Sequence, residues 1–197
     1  MTVHTPATAV RQAAKADHQV VLDVLTEAFM HDPLVRWFFP DPGPRGLLQR
    51  HFHRPLLTHP AAEVHLTGDN EGAAIWLALS AGQEPHAEEP ESASVYGESG
   101  PRLAALGEAL AVRHPVEPHL YLPCMGVIGG RQGAGLGSAL LRHRLERADA
   151  DGLATYLEAG SPRSRALYLR HGFQDLGEPV RVADSPLVQP MWRQPRP

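Results

Sequence analysis

The sequence predicts an α/β fold of the α+β kind, with strands and helices in mixed order, built as one domain over residues 1–197. Three observations predict it. The chain has 197 residues, enough to bury a sizeable core in a single domain. Short runs with strand character are interspersed with runs whose apolar residues recur at helical spacing. The stretch His119–Val127, the glycine-rich turn after it and the run Ser138–Ala148 follow one another as strand, turn and helix.

Composition narrows the function classes. Apolar residues make up 43% and charged residues 20%, a globular profile. The net charge of −4 and pI near 6.3 give no overall attraction to nucleic acid or to an anionic membrane. Any phosphate ligand therefore has to be held locally. Cys124 is the only cysteine, which excludes an internal disulfide and a cysteine-based zinc site. The 12 histidines are scattered, with no H-x-x-x-H pair, and no metal is expected. No apolar run approaches the roughly 18 residues of a membrane span. Met1–Pro6 lacks the apolar centre of a secretion signal, so a cytoplasmic protein is expected. Of the 18 basic residues only Lys15 is a lysine, a usage associated with GC-rich bacterial genomes.

Val10–Ala13 is a short first strand. Asp17 is the expected N-cap of a helix whose core face is Val20, Val21, Val24, Leu25, Ala28 and Phe29. His31-Asp32-Pro33 stops it, because proline disfavours helix in the residue before it. Leu34–Pro42 is aromatic and proline-bounded; it packs beneath a loop or walls an acceptor pocket. A second helix is expected over 46–57, then a strand over 63–67, a turn at 69–72 and a strand over 72–79 paired with it as a hairpin. The acidic, proline-rich run 81–91 reads as a surface loop. A helix over 101–113 carries Leu103, Leu106 and Leu110 on one side, and His114–Pro118 ends it.

Between the strand ending at Val127 and the next helix lie Arg131-Gln132-Gly133-Ala134-Gly135-Leu136-Gly137-Ser138. Glycines allow positive φ and close approach to a ligand, and the unpaired N–H groups of the first helical turn favour an anion. The run lacks the Gly-Lys-Ser/Thr end of a Walker loop and the G-x-G-x-x-G rhythm of a dinucleotide fold. An ordinary glycine-rich turn would read the same way. Leu136, Leu140, Leu141, Leu145 and Ala148 then form one apolar stripe, with Arg142, Arg144 and Arg147 expected on the solvated face. Gly152 caps that helix. A strand over 153–158, a short helix opened by Ser161-Pro162 and ended at His171-Gly172, a strand over 173–176 and a closing hairpin of 180–183 with 187–192 complete the chain. The tail is expected to be disordered.

Gln132, Gly135 and Gly137 match the Q/R-x-x-G-x-G/A acyl-CoA pyrophosphate signature, and Ala166–Phe173 resembles the A-x-x-L-Y-x-x-x-G-F region that follows it in the GNAT N-acetyltransferase family. With both signatures in order, the chain resembles that family. Glu117-Pro118, Leu157-Glu158, Pro162-Arg163 and Tyr168–Phe173 carry the likeness towards its puromycin N-acetyltransferase branch and actinobacterial relatives. The resemblance implies a GNAT fold: a central mixed, mostly antiparallel sheet, splayed at its middle strands and flanked by helices. It implies acetyl-CoA as donor and a small-molecule amine as acceptor, with no nucleic acid or membrane partner, in a monomer or homodimer. An acetyltransferase for protein amines and an acyl-CoA sensor without turnover are the alternatives.

By this resemblance the strand ending at Met125-Gly126-Val127 parts from its neighbour near Leu157-Glu158. The backbone N–H groups of Met125 and Val127 then hold the donor arm and polarise its thioester. Arg131, Gln132, Gly133, Ala134, Gly135, Leu136, Gly137 and Ser138 hold the pyrophosphate, Arg131 as a mobile cation at the mouth. Ala134 stands where the family often has a cation, Gly129 where a proline is common, and Ser164 where relatives often carry an asparagine near the CoA arm. Tyr168 is the expected general acid and Glu158 the expected base, ahead of His119 and Glu117. Phe29, Trp37 and Trp76 are expected to wall the acceptor pocket. Cys124 is either an acyl carrier or, more simply, a buried small apolar residue.

Overall fold

The computed structural model describes residues 9–85 and 95–196. In chain order they form β1 (Val10–Gln12), α1 (His18–Phe29), α2 (Pro33–Phe38), α3 (Pro42–Thr58), β2 (Ala62–Thr67), β3 (Gly72–Leu79), α4 (Gly100–Ala111), β4 (His119–Val127), α5 (Leu136–Ala150), β5 (Thr155–Ala159), α6 (Pro162–Arg170), β6 (Gln174–Asp175) and β7 (Gln189–Arg193). The strands make one sheet in the order β1-β2-β3-β4-β5-β7-β6. Every neighbouring pair is antiparallel except β4 and β5, which are parallel.

The apolar run of β3 is buried except at Ala78, because helices cover both faces of the sheet. Ile75 and Leu77 face α1 and α3, packing with Val21, Leu25, Leu56 and Tyr121. Trp76 and Ala74 face the other way, packing with Leu140, Leu141 and Leu145 of α5 and with Leu120, Leu122 and Phe173. Among the described residues no helix is long and apolar enough to cross a membrane.

Several expectations are corrected. Asp17 precedes α1 but does not cap it; its carboxylate accepts from Arg11 (2.7 Å) and from the Ala14 N–H (2.8 Å), closing the turn before the helix. The helix expected over 46–57 begins at Pro42, where Asp41 accepts the Gly43 N–H at 2.9 Å. Prolines fit its first turn, whose N–H groups have no intrahelical partner. Pro55 lies inside the same helix, whose last turn is held by buried Leu56 and Leu57. Arg144 is buried, not solvated: its guanidinium lies under β2 and donates to both Glu63 oxygens, at 2.8 and 3.0 Å. The closing hairpin is replaced by a single Val180–Val188 bridge, and β7 inserts between β5 and β6. The tail is held through residue 196, with the Arg193 side chain and the Arg196 N–H both on Asp149. The expected loop over 81–91 lies outside the described residues from 86 onward.

Candidate active site

The sheet opens between β4 and β5. Their pairing covers only Leu120–Leu122 against Thr155–Leu157, and beyond it β4 stays with β3 while β5 stays with β7. A bulge turns the open edge of β4 to account. Ile75 faces Cys124 but Leu77 faces Tyr121, so β4 carries one residue more than β3 across this step. Pro123 lies within it, where proline is tolerated in a central strand. Before the bulge the Leu120 N–H donates to Ala154, towards β5; after it the Ile128 N–H donates to Glu71, towards β3. Both positions are even, so the alternation has reversed. The side chains agree: Tyr121 and Cys124 face the α1 side, Leu122 and Met125 the α5 side. The N–H groups of Met125 and Val127 therefore point towards β5 and into the gap.

Directly after β4 comes the glycine loop. Gly133 and Gly135 adopt φ of +89° and +86°, the left-handed region that glycine enters freely. A Cβ at either would meet nothing within 4 Å, so the loop is open on that side. Gly135 is the N-cap residue of α5, without a side-chain cap, and the first bond of the helix runs from the Ala139 N–H to Gly135. The N–H groups of Leu136, Gly137 and Ser138 precede that bond and are left for an anion. Gln132 braces the loop: its Nε2 donates to the Val127 carbonyl (3.2 Å), and its Oε1 accepts from Arg163 of α6 (2.7 Å). Arg131 is not a free cation at the mouth; its Nε is 2.8 Å from Glu71. Ser138 Oγ lies 3.0 Å from His171 Nε2. Arg163 and His171 therefore join the cradle, although sequence reading gave them no role there; both lie within segments already matched to the family. The Ser164 hydroxyl is engaged in the cap of α6, donating to the Ser161 carbonyl at 2.9 Å.

Glu158 stands on β5 just past the last β4–β5 pair. Burial pushes its carboxyl up to about 7, even though Tyr121 donates to Oε2 at 2.8 Å. His114 Nδ1 is 4.0 Å from Oε1. His119 has both ring nitrogens engaged, Nδ1 donating to the Glu117 carbonyl (2.7 Å) and Nε2 against His114 Nε2 (3.2 Å). From α6, on the other face of the sheet, comes buried Tyr168, whose hydroxyl is pushed up by burial and then by Cys124. Cys124 Sγ lies 3.4 Å from His53 Nε2, both side chains buried. Burial raises the thiol and lowers His53 to about 4, so the pair rests neutral. Among the described residues no group of three or more His, Cys, Asp or Glu could hold a metal.

The segment from α1 to α2 crosses the mouth of the gap. Ala28 and Phe29 lie against Gly126 of β4, where a Cβ would come within 2.7 Å of Ala28. Leu34 lies 3.6 Å from the Cβ position of Gly160, just past β5. Phe29 is thus at the gap, and Trp37 stands in the following helix, its indole N–H donating to Asp184 at 2.8 Å. Trp76 is not with them. It is wholly buried on the α5 face of the sheet and cannot wall an acceptor pocket.

Comparisons with known proteins bear on the family and the fold. The family model described as acetyltransferase (GNAT) family matches residues 56–173. A solved structure of histone acetyltransferase HPA2 and related acetyltransferase from Corynebacterium glutamicum is 30% identical at a TM-score of 0.70, covering 96% of this chain and 97% of that chain. Agmatine N-acetyltransferase is similar at 18% identity and a TM-score of 0.66, covering 95% and 99%. A mosquito arylalkylamine N-acetyltransferase-like protein is similar at 12% identity and 0.64, again over 95% and 99%. The last two share the fold.

Proposed function

The chain belongs to the acetyltransferase (GNAT) family and is an N-acetyltransferase; on that premise we propose that it moves an acetyl group from acetyl-CoA to a primary amine of a small molecule by direct attack. The observation that carries the reading is the gap between β4 and β5, with N–H donors on one rim, the open glycine loop at one end and Glu158 just past the last β4–β5 pair.

The residues fit the donor. Acetyl-CoA supplies an activated acyl thioester when bound. The open cradle of Gly133–Ser138, with Gln132, Arg163 and the Ser138–His171 pair around it, suits a pyrophosphate. The Met125 and Val127 N–H groups hold the donor arm and stabilise charge developing on the carbonyl oxygen. Glu158, with its carboxyl near 7, takes a proton from the acceptor amine. Tyr168, held protonated by burial, keeps a proton for the departing thiolate. Fixing both reactants in the gap supplies much of the rate. Cys124 stays outside the chemistry, because an unactivated buried thiol is a poor nucleophile.

A small acceptor is favoured by the aromatic segment Phe29–Phe39 across the gap. The likeness to the puromycin branch makes puromycin the first acceptor to assay. A second reading, acetylation of protein amines, is favoured by the name of the Corynebacterium neighbour. Thiol release from acetyl-CoA, followed across puromycin, simple arylalkylamines and a lysine-rich peptide, separates the two. Turnover confined to small amines supports the proposal. Turnover confined to the peptide overturns the acceptor class, and none with any amine overturns the transfer reading.

A further inference from the structure

We propose that Asp32 is the cation-binding residue of the acceptor subsite, taking the amine as its protonated, ammonium form. The inference rests on the transfer reading above and names the group that draws the acceptor to the gap.

Asp32 lies on the segment that crosses the gap, between Phe29 packed on β4 and Leu34 packed beyond β5. This arc is fixed in advance. The buried guanidinium of Arg45 donates to the carbonyls of Met30 (3.5 Å), Phe39 (2.7 Å) and Pro40 (2.6 Å), tying both ends together. Asp32 is half-buried on this arc, and after burial its charge is what raises the thiol of Cys124 on β4.

Its bonding is half used. Oδ1 accepts both the Leu34 N–H (2.9 Å) and the Val35 N–H (3.1 Å), capping α2. Among the described residues, no arginine, lysine or histidine pairs with the carboxylate. Burial pushes its carboxyl up, and no cation offsets the effect. Capping alone does not call for this charge, because asparagine or serine caps as well as aspartate. A partly desolvated carboxylate without a cation is costly until one arrives. A primary ammonium carries that charge and three donors, and Phe29, packed on β4 at the start of the same arc, offers an aromatic ring to the body behind it.

Asp32→Asn is the test, since it removes the charge and keeps the cap. Calorimetric titrations at neutral pH would compare phenethylamine, which is charged, with O-benzylhydroxylamine, its isostere, which is neutral there. The wild type is expected to bind the amine, and Asp32→Asn to weaken that binding about tenfold or more, with the alkoxyamine held alike by both proteins. No binding of the amine by the wild type, equal binding by both proteins, or an equal loss for the alkoxyamine would overturn the inference. Thiol release is read separately: binding that follows Asp32 without any turnover defeats the transfer reading and leaves the subsite standing.

Discussion

At the scale of single residues, the proposed reaction divides the proton work between Glu158 and Tyr168 by their surroundings. Burial lifts the Glu158 carboxyl from 4.5 to about 7. Between those values the folded chain holds a proton that the unfolded chain has lost, so stability falls as pH rises through that window and the loss is complete above it. Glu158→Gln removes the titration. Above the window its unfolding free energy should exceed that of the wild type by up to roughly 3 kcal/mol in urea denaturation. Activity should move the opposite way. Wild-type kcat/KM should climb with a pKa near 7, and the variant should be slow and lack that limb. Tyr168→Phe should lower kcat about 100-fold or more while leaving the KM for acetyl-CoA nearly unchanged, in initial-rate assays. Retained turnover would remove the phenol from the acid role. Both proposed roles start from the sequence, because each residue sits in a segment matched to the family. In the sequence Asp32 reads only as a helix stop, since the half-used bonding of its carboxylate depends on folding.

Among the elements, β4 shows what a sequence hides. His119–Val127 is apolar on both faces, so it has no alternation whose reversal would reveal a bulge, and the turning of Met125 and Val127 emerges only from the pairing with β3. Trp76 failed as a pocket residue for the same reason: in a strand buried on both sides, the sequence does not say which face an aromatic ring takes. The glycine loop was legible because its positive φ angles demand glycine whatever surrounds it. Arg144 was misplaced because arginine is mostly exposed, and its partner Glu63 lies on a distant strand. Their ion pair pins α5, and with it the cradle, to β2. Arg144→Met should leave Glu63 without its cation and cost roughly 3 kcal/mol, read as a lower urea midpoint with an unchanged slope. A midpoint within error of the wild type would show that the pair does not anchor the helix.

For the molecule as a whole, the parallel contact of β4 with β5, in a sheet otherwise antiparallel among the described residues, creates the gap on which the proposal rests. β4 and β5 run together for three residues and then part, each held by its other neighbour, so the gap costs no unsupported strand. The glycine loop ends that gap on the α5 side and the Phe29–Leu34 arc crosses it on the α1 side, so in the proposed reaction donor and acceptor approach from opposite faces. The order of strands and helices was readable in advance, whereas the insertion of β7 between β5 and β6 was not, because long-range pairing leaves little local signal. The most direct measurement is a calorimetric titration of the protein with acetyl-CoA, repeated on Gly135→Glu, with thermal melts to verify that the variant is folded. A glutamate there would place bulk and negative charge in space that is now open beside the first turn of α5. Binding at roughly micromolar Kd that disappears in the folded variant is the predicted result. No binding by the wild type, or equal binding by both, would contradict the account.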